Sequence, residues 1–177
     1  MLILRKIKKA DDAAMKKIVQ ENLVARGLNI PGTAYFDPSL ESLSSFYDSE
    51  PDKRAYFVLS DEDPDLCPED EQAKSRVLGG AGFAECDFFP ACAELQKLYI
   101  ADEAKGKGLS HVLIEKAEEE ARRLGYDRMY LETHKNLSLA MKIYEKHAYR
   151  LIPRPAAVVH GTMDHFYLKE LDTRDNS

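Results

Sequence analysis

Residues 94–149 read ELQKLYIADEAKGKGLSHVLIEKAEEEARRLGYDRMYLETHKNLSLAMKIYEKHAY, and this stretch decides the predicted fold. Its first residues continue a strand-like segment, 93–100, which is followed by a polar loop with two glycines. An amphipathic helix is predicted at 109–125, a strand at 127–133 and a second helix at 136–147. The first helix ends at a glycine and carries an apolar stripe formed by Leu109, Val112, Leu113, Ala117 and Leu124.

The segments on both sides extend this unit into a single predicted domain, 1–177. Strands are expected at 2–7, 55–60, 76–85, 149–152 and 165–168. Helices are expected at 13–27 and from Pro38 or Ser39 onward, and an acidic, proline-containing segment, 61–75, is expected to project into solvent. The order is roughly β-α-α-β-β-β-α-β-α-β-β, which predicts an α+β fold around one sheet.

Composition and charge exclude several classes of protein. The formal net charge of −6 argues against a nucleic-acid partner and favours a cationic small molecule. No apolar run approaches the roughly 20 residues that a membrane-spanning helix needs, so no membrane partner is expected. The first residues are apolar and then basic, which is the reverse of a secretory signal, and a cytoplasmic location is therefore expected.

The cysteines and histidines match no metal site, and none is expected. Cys67, Cys86 and Cys92 do not form a closed disulfide set. Asp87-Phe88-Phe89-Pro90 lies between Cys86 and Cys92, so a link across a hairpin is conceivable, although reduced thiols are expected. His160 and His165 have no third ligand clustered with them in the sequence.

Two glycine-rich segments have different interpretations. Residues 79–82 lack the helix and the downstream acid of a dinucleotide loop, so they are interpreted as a glycine-rich strand with a bulge or close packing. Residues 105–110 lie between a strand and a helix, where glycines, free N–H groups and the helix dipole together favour an anion such as pyrophosphate. Alone, this second segment would more often be a tight turn with solvated lysines.

The surrounding motifs make residues 94–149 resemble the core of the GNAT superfamily of N-acetyltransferases. The family signature Gln/Arg-x-x-Gly-x-Gly/Ala stands here as Lys105-Gly106-Lys107-Gly108-Leu109-Ser110, and Tyr144-Glu145-Lys146 lies two elements later. Lys105 replaces a Gln or Arg, and Ser110 a Gly or Ala. The resemblance implies the GNAT fold, a mixed and mostly antiparallel sheet with one splayed parallel strand pair and helices on both faces.

On the donor side, the resemblance implies acetyl-CoA as cosubstrate. The backbone of Leu98, Tyr99 and Ile100 would bind the pantetheine arm, and the loop residues Lys105, Gly106, Lys107, Gly108, Leu109 and Ser110 the pyrophosphate. Asn136 is a further cofactor residue, although it lies one residue further from Tyr144 than is usual in the family. Tyr144 would protonate the leaving thiolate, and Glu94 is the expected general base.

On the acceptor side, the expected substrate is a primary amine of a small molecule. The loop between the first two helices supplies Tyr35, Phe36 and Asp37 as candidate lining residues, and Glu132 and His134 end the fifth strand nearby. Core packing is the alternative role for the loop aromatics. Two other functions stay open, a non-catalytic acyl-CoA-binding module and a protein N-terminal or lysine acetyltransferase. Dimers are frequent in the family, so a homodimer is also considered.

Overall fold

A seven-stranded mixed sheet forms the centre of the computed structural model, which describes residues 1–62, 75–158 and 161–171. Most of the acidic segment, with Cys67, and also His160 lie outside these ranges. The sheet order is β1-β2-β3-β4-β5-β7-β6, and every neighbouring pair is antiparallel except β4 and β5. The strands are β1 Leu2–Lys6, β2 Ala55–Glu62, β3 Ser75–Cys86, β4 Cys92–Ile100, β5 Arg128–Thr133, β6 Arg150–Ile152 and β7 His165–Glu170.

Four α-helices in the described ranges cover both faces of this sheet. They are α1 Asp12–Val24, α2 Leu43–Asp48, α3 Leu109–Arg123 and α4 Ser138–Lys146. Successive strand residues point to opposite faces, and Tyr56 contacts Tyr47 of α2 whereas Phe57 lies under Lys116 of α3. Helices α2 and α3 therefore occupy opposite faces. The predicted element order and the α+β class with a splayed parallel pair are confirmed.

The remaining two helices share these faces. Helix α1 lies beside α2, because Asp12 accepts hydrogen bonds at 2.8 Å from both the amide and the hydroxyl of Ser44. Helix α4 lies beside α3, because the ring of Tyr144 packs on Tyr167, and Lys169, which points the same way, binds Glu118 of α3 at 2.7 Å. The sheet thus has an α1–α2 face and an α3–α4 face.

Helix α3 differs from its predicted stripe at one position. Leu109, Leu113, Ile114, Ala117 and Ala121 are buried, whereas Val112 is 37% exposed. The prediction that Val112 belongs to the stripe was wrong because the buried face follows the spacing i, i+4, i+5, i+8, which turns position 112 toward solvent.

The second predicted helix begins later than expected. Residues Pro38–Ser42 form a 3-10 helix, whose first turn is capped by the Asp37 carboxylate accepting from the Ser39 amide at 2.9 Å. The α-helical part starts only at Leu43.

The glycine-rich part of β3 packs against aromatic rings, in agreement with the interpretation of residues 79–82 as a strand. A Cβ atom added at Gly80 would lie 2.5 Å from Cε1 of Tyr56 and 2.9 Å from the carbonyl oxygen of Phe57. Tyr56 is buried, and its hydroxyl donates to the Lys97 carbonyl of β4 at 2.8 Å. Glycine at position 80 of β3 therefore leaves space for the Tyr56 side chain, which extends from β2 across β3 to β4.

Gly80→Ala is expected to lower the free energy of unfolding by about 1–3 kcal/mol, because the added methyl group must displace Tyr56 or the backbone of β2. Urea denaturation followed by circular dichroism measures the change. Gly161→Ala is the control, because a Cβ there meets nothing within 4 Å. Equal stability of the two variants would contradict the packing argument.

No helix in the described ranges is both long and apolar enough to cross a membrane.

Candidate active site

A cleft opens in the sheet where the parallel strands β4 and β5 separate. The two strands pair only at Cys92–Arg128, Ala93–Met129 and Glu94–Tyr130. Beyond Glu94 they diverge, and a cavity of about 360 Å³ lies between them. Leu95, Leu98, Tyr99 and Ile100 of β4 line one side of it. The divergence leaves the β4 backbone without strand partners on this side, and such an edge can pair with an extended ligand.

A bulge in β4 shapes the wall of this cleft. Ala81 of β3 stands opposite two residues of β4, Lys97 and Leu98, and Lys97 has a positive φ of 52°. A bulge of this kind bends its strand and increases the local twist. The Tyr56 hydroxyl bound to the Lys97 carbonyl fixes the bend. The sequence contained no signal for this feature, because lysine is uncommon at positive φ.

The loop before α3 has the geometry of an anion site. Gly106 and Gly108 have φ values of 78° and 75°, and an added Cβ at either would meet nothing within 4 Å. Glycine is thus required there by backbone conformation rather than by space. The first amides of a helix have no intrahelical acceptors, and in α3 no capping side chain satisfies them.

The predicted loop residues divide between the cleft wall and the solvent side. Lys105, Gly106, Leu109 and Ser110 line the cleft, whereas Lys107 and Gly108 are exposed and are not part of its lining. The Lys105 ammonium pairs with the carboxylate of Asp102, three residues earlier in the same loop.

Tyr144 lines the cleft from the α3–α4 face. Its side chain is 7% exposed, and its ring packs on Tyr149 and Tyr167 with centroids 6.0 and 6.1 Å away. Burial, with smaller contributions from Tyr99 and Tyr167, raises the pKa of its phenol. Within the described residues the hydroxyl forms no hydrogen bond, so it is a protonated donor available to a ligand.

Two glutamates lie near the cleft on the α1–α2 face. Glu94 accepts from the Gln96 amide at 3.0 Å, and Glu132 accepts from the Tyr130 hydroxyl at 2.9 Å. Burial raises the pKa of Glu94, the Gln96 hydrogen bond opposes that shift, and the charge of Glu132 adds to it. Glu132 is part of the cleft lining, whereas Glu94 is not. The predicted base and its neighbour therefore form one acidic pair.

The predicted acceptor loop lies next to Glu94 and Glu132, but its acidic residue, Asp37, already forms an ion pair. Asp37 binds the Lys97 ammonium at 2.7 Å, and Lys97 is nearly buried. Burial acts to raise the pKa of Asp37, but Lys97 and the Ser39 amide bring it below its usual value. Tyr35 packs edge-on against Phe36, whose side chain is 58% exposed. None of these three loop residues is part of the cleft lining itself.

His134 and Asn136 organise the turn that leads into α4. The His134 ring accepts from the Asn136 amide at 3.1 Å, and the Asn136 side chain donates to the Arg26 carbonyl at 3.0 Å. Asn136 lines the cleft and His134 does not. The histidine therefore shapes the turn, and the asparagine connects it to the end of α1.

Helix α1 and the turn that follows it contribute two cleft residues that the sequence did not indicate. Arg26 lines the cleft, and Asn22 lines it while donating to the Ile100 carbonyl at 3.0 Å. That bond satisfies a carbonyl at the diverging end of β4. In the sequence, both residues look like the polar side of a surface helix.

One buried polar atom of the cleft lining has no partner. The Thr133 hydroxyl is buried, belongs to a lining residue, and makes no hydrogen bond within the described part of the chain. Such an atom is costly unless a ligand or water completes it. The same ranges contain no cluster of three or more His, Cys, Asp or Glu side chains arranged for a metal ion.

Comparison with known proteins identifies the family. Residues 31–149 match the model of the acetyltransferase (GNAT) family. The uncharacterised N-acetyltransferase YjgM of Escherichia coli is 32% identical over 149 residues, which cover 81% of this chain and 78% of that protein.

Solved structures share the fold at lower identity. A GNAT acetyltransferase from Staphylococcus aureus superposes with a TM-score of 0.76 at 14% identity, over 97% of this chain and 100% of that one. The yncA protein of Salmonella typhimurium, solved with its cofactor acetyl-CoA, has a TM-score of 0.69 at 20% identity, over 97% of this chain and 95% of that one. From the family match and the YjgM identity, the chain belongs to the GNAT family of acetyltransferases.

Proposed function

We propose that this chain transfers the acetyl group of acetyl-CoA to a primary amine of a small molecule. The observation that carries the proposal is the cleft between β4 and β5, which has an unpaired strand edge along one wall and a glycine loop at one end. Acetyl-CoA supplies an activated thioester carbonyl. The yncA structure, which contains that cofactor, supports the choice of donor.

The cofactor would lie along β4 and reach the start of α3. The backbone of Leu98, Tyr99 and Ile100 would pair with the pantetheine amides in the manner of an added strand. The pyrophosphate would meet the free amides of the loop and of α3, with Lys105 adding a positive charge. The Thr133 hydroxyl, which has no partner among the described residues, would be available to the same arm, and Asn136, whose amide nitrogen binds the Arg26 carbonyl, also lines the cleft.

The two faces of the sheet would divide the chemistry between them. Tyr144 reaches the cleft from the α3–α4 face, whereas Glu94 and Glu132 belong to the α1–α2 face. The amine would approach on the carboxylate side and lose its proton to Glu94, directly or through a water. As nitrogen bonds to the carbonyl carbon, the carbon–sulfur bond breaks and Tyr144 protonates the sulfur. The nitrogen releases its second proton to water, and Tyr144 regains a proton from water. A free amide of β4 near Leu98 would stabilise the carbonyl oxygen.

The charges on the acceptor side favour a cationic acceptor. Asp37 is neutralised by Lys97, so the glutamates provide the uncompensated negative charge beside the cleft. An ammonium group is attracted there, and it must be deprotonated before attack because its pKa is about 10. A buried carboxylate with a raised pKa is suited to that proton transfer.

A screen of amines tests this function. Amino acids, polyamines, aminoglycosides and lysine-containing peptides are each incubated with acetyl-CoA and the protein, and release of free thiol is recorded. We expect thiol release with at least one small cationic amine and a product that carries an added acetyl group. Turnover of peptides alone would reassign the acceptor to protein amines, and binding without any turnover would support the non-catalytic alternative.

Lys105→Glu is expected to raise the Kd for acetyl-CoA roughly tenfold, because attraction of the phosphates becomes repulsion. Calorimetric titration at low and high salt measures the effect, which should shrink as salt screens the charges. Lys9→Glu makes the same charge change at an exposed position that is not part of the cleft lining. If both variants bound equally well, Lys105 would have no part in the phosphate site.

A further inference from the structure

Two cysteines face each other at the end of the β3–β4 hairpin. Cys86 and Cys92 are direct partners in the strand register, with a loop of residues 87–91 between them. Opposite residues of antiparallel strands have Cα atoms about 4.5–5.5 Å apart, which lies within the range that a disulfide accepts. Both side chains point to the α1–α2 face and belong to a small apolar cluster with Tyr130, Val158 and Phe166.

The two thiols are neighbours and differ in acidity. The nearby Cys92 thiol, against the opposing effect of burial, is the main cause that lowers the pKa of Cys86. The Cys92 thiol itself donates to the Ala93 carbonyl at 3.4 Å, and the proximity of Cys86, followed by burial, raises the pKa of Cys92. A thiolate is the reactive form of cysteine, so Cys86 is the nucleophile of the pair.

A surface depression adjoins the pair despite its burial. Cys86 and Cys92 are 7% and 2% exposed, and both line a surface depression of about 410 Å³ beneath the hairpin loop. Phe88, Phe89 and Pro90 line the rest of its loop side. We infer that low-molecular-weight disulfides approach Cys86 from this depression.

We propose that Cys86 and Cys92 are a redox modification site that forms a reversible disulfide by exchange with a low-molecular-weight disulfide. The Cys86 thiolate attacks one sulfur of that disulfide, its sulfur–sulfur bond breaks, and one thiolate leaves. The Cys92 thiol then loses its proton and attacks the Cys86 sulfur, which releases the second thiolate. The two cysteines are oxidised by two electrons, and one small disulfide is reduced to two thiols. This step does not depend on the proposed acetyl transfer.

The digestion pattern of the chain makes the test direct. Trypsin cuts after Arg76 and Lys97, and residues 77–97 contain both cysteines and no internal lysine or arginine. The folded protein is incubated with excess oxidised glutathione and the remaining thiols are alkylated. The protein is then digested with trypsin, and the mass of peptide 77–97 is measured by mass spectrometry. We expect peptide 77–97 without alkyl groups and lighter by two hydrogen atoms, and its conversion to the doubly alkylated form if dithiothreitol is added before alkylation.

Three variants separate the roles of the cysteines. Cys67→Ser should form the same linked peptide, because position 67 takes no part in the exchange. Cys92→Ser should retain glutathione on Cys86, since no second thiol is present to release it. Cys86→Ser should react at least about tenfold more slowly at Cys92, which has the less acidic thiol. A wild-type peptide that stays doubly alkylated, or that retains glutathione, would overturn the proposal.

Discussion

Tyr144→Phe is expected to lower kcat by about 100-fold while changing the Kd for acetyl-CoA by less than about threefold. The phenylalanine retains the ring packing on Tyr149 and Tyr167 and removes only the hydroxyl, which has no partner in the described residues. Burial raises the pKa of this phenol, so it is fully protonated at neutral pH and can donate to the leaving sulfur. The loss should therefore fall on the transition state rather than on cofactor binding.

Tyr167→Phe is the matched control. Tyr167 belongs to the same aromatic cluster, but its hydroxyl donates to Glu145 at 3.3 Å and it is not part of the cleft lining. Steady-state kinetics with an amine from the screen, together with calorimetric titration of acetyl-CoA, separates kcat from Kd. Equal kcat values for Tyr144→Phe and the wild type would remove Tyr144 from the proposed mechanism.

Glu94→Gln is expected to reduce kcat/KM by about 100-fold at neutral pH and to abolish the acidic limb of its pH profile. A base must be ionised to accept the amine proton. Because burial raises the pKa of Glu94, ionisation is lost at a higher pH than for an ordinary glutamate. The wild-type kcat/KM should thus fall as pH decreases through that raised value, whereas the variant should lack this fall.

The stability of Glu94→Gln provides an independent check. A carboxyl whose pKa is raised on folding binds its proton more tightly in the native state, so its contribution to stability is lost as pH rises through the folded value. Glutamine does not ionise, so the variant does not lose stability as pH rises. Its free energy of unfolding at pH 8 should therefore equal or exceed that of the wild type. Low activity in an equally stable variant is not a folding defect.

Glu132→Gln distinguishes the two carboxylates. Glu132 is the member of the pair that lines the cleft, and it accepts from Tyr130. If the acidic limb disappeared in Glu132→Gln and persisted in Glu94→Gln, then Glu132 would be the base and Glu94 only its charged neighbour.

Local patterns indicated several of the residues that the structure brings to the cleft. The period of α3, the two glycines of the loop and the position of Tyr144 all depend on residues close together in the sequence, and the structure brings Lys105, Ser110 and Tyr144 to one cleft. Family resemblance added the parallel, splayed strand pair, which no single segment encodes.

The parts that sequence reasoning missed depend on distant contacts. The bend in β4 is held by the hydrogen bond from the Tyr56 hydroxyl to the Lys97 carbonyl, and the Lys97 side chain forms the ion pair with Asp37. Asn22 reaches Ile100 across 78 positions of the chain. The proposed acceptor side is built mainly from such contacts, so its candidate residues could be listed from the sequence but their partners could not.

Amide hydrogen exchange with and without acetyl-CoA tests the central claim most directly. If the cofactor binds in the cleft between β4 and β5, saturating acetyl-CoA should slow exchange at Leu98, Tyr99 and Ile100, and at the loop and helix start from Gly106 to Ser110. Exchange at β1 and β2, on the far side of the sheet, should stay unchanged. No protection at millimolar acetyl-CoA, or protection confined to other segments, would contradict the assignment of this cleft as the donor site.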